Sequence, residues 1–122
     1  MTFDEILKRL VEETPGAEAA AIMDGDGMPV EVHRAPGARV DLPALAVEFQ
    51  KTLQEASKAI GALDGEGGPR LLEMTLATGT HQLHFQQLDA EYFLVAALGP
   101  RGWVGKMRWL VQGLLHELRE EL

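Results

Sequence analysis

The sequence predicts an α+β domain with the element order α-β-β-α-β-β-β-α. Three observations predict it. Apolar residues recur at helical spacing in segments at the start, middle and end of the chain. Between these segments lie five short runs that alternate or are continuously apolar, as strands do. Glycine and proline punctuate the joints, at Thr14-Pro15-Gly16, Asp24-Gly25-Asp26-Gly27, Ala35-Pro36-Gly37, residues 65–69, Gly79-Thr80 and Gly99-Pro100-Arg101-Gly102.

Each element has its own justification. Thr2-Phe3-Asp4-Glu5 is a capping-box pattern, and Phe3, Ile6, Leu7, Leu10 and Val11 follow on one helical face. Glu18 to Met23 is a mostly apolar run. The Asp-Gly-Asp-Gly segment then supplies a tight hairpin turn, and Met28 to His33 is the return strand, with Met28, Val30 and Val32 on one face. Asp41 is a good N-cap and Pro43 fits a first turn. Leu42, Ala46, Phe49, Leu53, Ala56, Ile60 and Leu63 then recur at alternating spacings of four and three, a heptad seam. Residues 65–69 read as the clearest loop. Arg70 to Thr78 alternates, with Leu72, Met74 and Leu76 expected inward and Glu73 and Thr75 outward. Leu83 and Phe85 share a face of the next strand, opposite His84 and Gln86. Tyr92 to Leu98 is nearly continuous in apolar residues and is expected to be a central strand buried on both faces. Trp103, Val104, Met107, Leu110, Val111, Leu114, Leu115 and Leu118 form a wide apolar face on the closing helix.

Size and composition narrow the function. A chain of 122 residues is one domain, residues 1–122, large enough to bury a core without staples. Apolar content of 46% and charged content of 25% are globular rather than disordered. A net charge of −8 argues against nucleic acid, whose binding needs a basic stripe to release phosphate counterions, and against anionic membrane. There is no cysteine, which excludes disulfides, thiol catalysis and thiolate metal sites. No signal-peptide pattern opens the chain, so the expected location is cytoplasmic.

No motif carries catalytic chemistry, and no enzyme activity, catalytic residue, metal site or cofactor is assigned. Gly99 to Lys106 sits between a strand and a helix, where a phosphate loop belongs. The first glycine of a Walker motif would fall on Pro100, and Met107 replaces the hydroxyl that holds magnesium. A plain strand-to-helix joint is the reading taken. Asp24 opens a calcium-loop-like run, but Ala35 stands where the twelfth-position glutamate is needed. His81 and His84 point to opposite faces of a strand and cannot chelate one ion, so surface histidine is the expectation. Ser57 is the lone serine and has no nucleophile elbow around it. Arg101, Lys106 and Arg108 form a local basic cluster, either a contact for an acidic partner or a solvated helix face. Trp103 and Trp109, on the same helix, are expected to fill a core or an interface.

The long helix is more discriminating. Leu45, Val47 and Ala59 widen its apolar stripe beyond the seam. A helix this apolar is expected to touch both its own sheet and a second copy of itself, with Leu42, Ala46, Phe49, Leu53, Ala56 and Ile60 at the dimer interface. Glu48, Lys51, Glu55 and Lys58 form a charged ladder on the opposite side. They are the candidate partner face, and a solvated face would give the same pattern.

Taken together, three features resemble the roadblock family, which includes the dynein light chain of that type and bacterial regulators of small Ras-like GTPases. They are the element order; the Asp24 to Val30 hairpin after Ala19-Ala20-Ala21-Ile22; and Tyr92-Phe93-Leu94-Val95 leading through Gly102-Trp103-Val104-Gly105-Lys106-Met107-Arg108 into a helix. The resemblance spans essentially the whole chain. It implies a five-stranded antiparallel sheet, with the long second helix on one face and the first and last helices on the other, a roadblock/profilin-like arrangement. It also implies a homodimer in which the second helices meet and the sheets join edge to edge. The expected function is a dimeric regulator or scaffold of a small Ras-like GTPase, of the gliding-motility type, acting on the partner's switch loops. The alternatives are an assembly adaptor without effect on turnover, and a PAS- or profilin-like ligand-sensing module, which a deep apolar pocket would favour.

Overall fold

The computed structural model describes residues 1–64 and 71–122. Among these the chain forms α1 (Phe3–Glu13), β1 (Ala17–Asp24), β2 (Pro29–Arg34), α2 (Leu42–Asp64), β3 (Glu73–Ala77), β4 (Gln82–Gln87), β5 (Tyr92–Leu98) and α3 (Val104–Glu121). The five strands make one antiparallel sheet in the order β2-β1-β5-β4-β3. The loop expected at residues 65–69, and Arg70 at the expected start of β3, lie outside the described residues.

Local chemistry explains the joints. Thr2 Oγ1 accepts from Glu5 N at 3.3 Å and caps α1. Asp24 Oδ1 accepts from Asp26 N and Met28 N, both at 2.9 Å, and Gly27 takes a φ of +85°, so the hairpin turn closes on one carboxylate and one glycine. Asp41 Oδ1 accepts from Ala44 N at 3.2 Å and caps α2 as its position suggests.

The sheet separates two cores. Alternation along β1 and β5 sends Ala20, Ile22, Leu94, Ala96 and Leu98 to one face, under α1 and α3. It sends Ala19, Ala21, Met23, Phe93, Val95 and Ala97 to the other, under α2. The α1/α3 core is completed by Ile6, Leu7, Leu10, Met107, Val111 and Leu118, all fully or almost fully buried. β5 is central and buried on both faces, as its unbroken apolar run predicts.

Three expectations about burial require correction. On β3 the apolar face is not covered: Leu72 is 66% exposed and Leu76 39% exposed, because α2 lies over β1, β5 and β2 and stops short of the β3 edge. Met28 and Val30 are likewise exposed at the opposite edge, where Val32 alone of that face packs against the α2 core. His84 is not a surface residue. It is fully buried on the α3 side of β4, with Gln86 two positions on.

Candidate interaction surface

The heptad seam of α2 divides into two parts. Leu42, Ala46, Phe49 and Leu53 pack onto their own sheet with Phe85, Phe93 and Val95, and Leu53 is 6% exposed. These four residues, expected at a dimer interface, therefore belong to the core of the single chain. A 23-residue helix outruns the sheet that carries its first half. Past Leu53 the same stripe emerges into the open: Ala56 is half-buried, Ile60 is 43% exposed and Leu63 is 81% exposed. The uncovered half of α2 and the uncovered apolar side chains of β3 both belong to the α2 side of the sheet. β3 is also an outermost strand, bonded to β4 alone among the described residues. An open strand edge with apolar neighbours is a surface suited to pairing.

The charged ladder is exposed and internally paired. Lys51 Nζ lies 3.2 Å from Glu48 and Lys58 Nζ 3.3 Å from Glu55. Each side chain keeps about three-quarters of its surface in water, so the pairs contribute little to stability. The ladder is thus a solvated face of alternating sign. Lys58 also borders an open groove of ≈ 560 Å³ between the second half of α2 and the end of the sheet. Leu53, Leu71, Phe85 and Phe93 floor the groove, while Gln50, Gln54, Ser57, Gln87 and Glu91 supply polar lining. Gln50 Nε2 donates to Gly25 O at 2.8 Å across the same region.

A polar network occupies the opposite side of β3. Arg108 of α3 donates two hydrogen bonds to Glu73, from Nε at 2.7 Å and Nη2 at 2.8 Å. This bidentate bond holds the Glu73 carboxyl below its ordinary range. His84 Nδ1 bonds Thr75 Oγ1 at 3.0 Å, and its Nε2 lies 4.0 Å from Glu73 with no hydrogen-bond partner. Burial pushes the His84 pKa down, against the raising effect of the Glu73 charge. Gln112 Nε2 donates to Gln86 Oε1 at 3.2 Å. Glu73, expected to point into solvent, instead joins the edge strand to α3. Sequence alternation carries no signal for this pairing, since Arg108 lies 35 residues away.

The glycine-rich joint before α3 serves packing. Gly99 N donates to Gly16 O and Trp103 N to Pro15 O, both at 2.9 Å. A Cβ on Gly16 would lie 2.5 Å from Gly102 Cα, so the α1–β1 and β5–α3 corners touch backbone to backbone. Among the described residues no group of three or more His, Cys, Asp or Glu is placed to hold a metal ion.

Comparison with known proteins sets this geometry in context. No family model matches the chain. No curated protein matches it. Solved structures do. MglC from Myxococcus xanthus is 27% identical over the whole of both chains, with a TM-score of 0.67. The gliding protein MglB from Thermus thermophilus is 20% identical over 97% of this chain and 86% of its own, with a TM-score of 0.83. A Roadblock/LC7 domain from Streptomyces avermitilis is 18% identical over 97% of this chain and 98% of its own, with a TM-score of 0.73. With its α-β-β-α-β-β-β-α order and single five-stranded antiparallel sheet, the chain has the roadblock fold and resembles the roadblock proteins of bacterial gliding-motility systems.

Proposed function

We propose that this chain is a homodimeric regulator or scaffold of a small Ras-like GTPase. The observation that carries the reading is the uncovered apolar surface made by Ala56, Ile60 and Leu63 of α2 and Leu72 and Leu76 beside the open edge of β3. A second copy brought up by a two-fold axis would cover each of these residues with its own counterpart, join β3 to β3 and bring the emergent halves of α2 together. The dimer surface is then the second half of the seam, Ala56 and Ile60, with β3, and not Leu42, Ala46, Phe49 and Leu53. The resemblance to gliding-motility proteins supports a GTPase as the partner. No residue here is assigned chemistry of its own. The effect would be a shift in the population of the partner's switch loops toward the arrangement that hydrolyses GTP. Glu48, Lys51, Glu55 and Lys58, alternating in charge and outward on α2, are the partner-facing residues in this reading.

The test has two parts. Light scattering at micromolar concentration should give a dimer, and Ile60→Asp and Leu76→Asp should each give a folded monomer. GTP turnover by the GTPase encoded beside this chain's gene should change on adding the wild-type chain. An unchanged turnover with stable binding would leave the assembly adaptor. A strict wild-type monomer would overturn the dimer. The groove of ≈ 560 Å³ beside α2 is the observation that favours the ligand-sensing alternative. Its polar lining and open form differ from the deep apolar pocket that such a module calls for.

A further inference from the structure

Both tryptophans of the chain stand in solvent. Trp103 is 63% exposed and Trp109 69% exposed, on the far side of the sheet from α2. A tryptophan carries a large apolar surface, and leaving two uncovered on one helix start gives up burial that the α1/α3 core could have supplied. Trp103, Lys106 and Trp109 are spaced three apart and form one band on α3, with Lys106 Nζ 5.7 Å from the centre of the Trp109 ring. Gly105 and Gly113 stand four residues before and after Trp109, and a Cβ at either would meet nothing within 4 Å. Neighbouring side chains therefore do not shield the ring from above or below.

Charge marks the same band. Arg108 is neutralised by Glu73, whereas among the described residues neither Arg101 nor Lys106 is in an ion pair. On a chain of net charge −8, two unpaired cations beside two bare indole rings are a local reversal of sign. Tryptophan and basic residues are also the types that concentrate binding energy at protein interfaces.

We propose that this band is a docking surface for an acidic segment of another protein. Trp103 and Trp109 would receive its apolar side chains, and Arg101 and Lys106 its carboxylates. This surface is separate from the proposed dimer surface and does not depend on the GTPase reading. A membrane is the less favoured occupant. The chain's overall negative charge opposes an anionic bilayer, and acidic residues, Glu117 and Glu120, follow on the same helix.

The tryptophans report on the proposal directly, because both lie in the band. The probe is an amphipathic peptide of glutamate and leucine. The controls are the same peptide with lysine in place of glutamate, and equimolar phosphatidylcholine–phosphatidylserine vesicles. The acidic peptide should shift the intrinsic emission to the blue and protect it from iodide quenching, with affinity falling as salt rises. Lys106→Glu, with unchanged circular dichroism and both tryptophans present, should weaken binding roughly tenfold or more. Trp109→Ala should do the same when binding is read from a label on the peptide. A shift given equally by the lysine peptide, a stronger shift with vesicles, or no shift with the acidic peptide would overturn the proposal. So would a blue emission that develops with protein concentration alone, which would mean that a second copy covers the band.

Discussion

The two faces of the sheet are built from the same strands and end differently. On the α1/α3 face, two helices share the work, and Leu94, Leu98, Met107 and Leu118 leave almost no surface to water. On the α2 face a single helix covers the three strands at one side, then runs past them, while Leu72 and Leu76 stay bare. One helix spans about two strands of width, since helices are about 10 Å across and strands about 4.8 Å apart. A five-stranded sheet therefore needs two helices per face or a neighbour. The first face has its two helices. The second has one, and the uncovered remainder is where assembly is expected.

The sharpest way to break this contrast is to charge a residue in each half of the α2 seam. Leu53→Asp should unfold the chain or bring it close to unfolding. Truncating a buried leucine alone costs about 2–5 kcal/mol, and a carboxylate in that site adds a desolvation cost. Ile60→Asp, seven residues on, should leave the thermal midpoint of the isolated chain within a few degrees of wild type. Equal losses in a denaturant titration of the two variants would mean that the seam is uniform and that α2 is buried to its end.

A smaller effect should come from the network under α3. Burial lowers the pKa of His84, so the unfolded chain takes up its proton first as pH falls below about 6.5. Stability from this residue is full at neutral pH and is lost progressively from there down to its lower folded value. The lowered Glu73 pKa acts in the same direction in a lower window, its contribution being present above the unfolded value of 4.5 and lost as pH falls through the folded value. Thermal melts between pH 7 and pH 5 should show a decline that His84→Gln flattens. An unaltered slope would remove His84 from the account.

The smallest effect is expected on the ladder. Lys51→Ala and Lys58→Ala should change stability by less than about 0.5 kcal/mol and leave the oligomeric state alone, because both pairs are solvated. In a pull-down with the candidate GTPase, a loss confined to these variants would assign the ladder to recognition.

The elements themselves were legible in the sequence, because each has a local cause: the period of its apolar residues, a cap such as Asp41, a turn such as Asp24 to Gly27. What the sequence withheld was extent. Nothing in the alternation of Leu72, Met74 and Leu76 says whether a helix lies above them, since that depends on where α2 crosses the sheet. The seam of α2 showed a similar limit. Its period continues unchanged from Leu42 to Leu63 while its surroundings change from core to open surface. The pattern identified a face that needs covering but could not say what covers each turn. The exposure of the tryptophans was hidden for a related reason. Trp103 and Trp109 sit at the margin and the back of the α3 stripe, and residue type overrode position in the expectation that they fill a core.

The contact between Gly16 and Gly102 has a consequence for descent. Gly16 has a φ of +82°, and a Cβ on Gly102 would lie 2.7 Å from that of Leu98. Neither position can gain a side chain without parting two corners of the chain, and a substitution at one opens no room at the other. Lineages that keep this fold should therefore keep both glycines together, while Gly79, whose Cβ would meet nothing, is free to drift. The pair would then serve as an inherited mark of the architecture, readable in any set of homologues whatever partner each has come to bind.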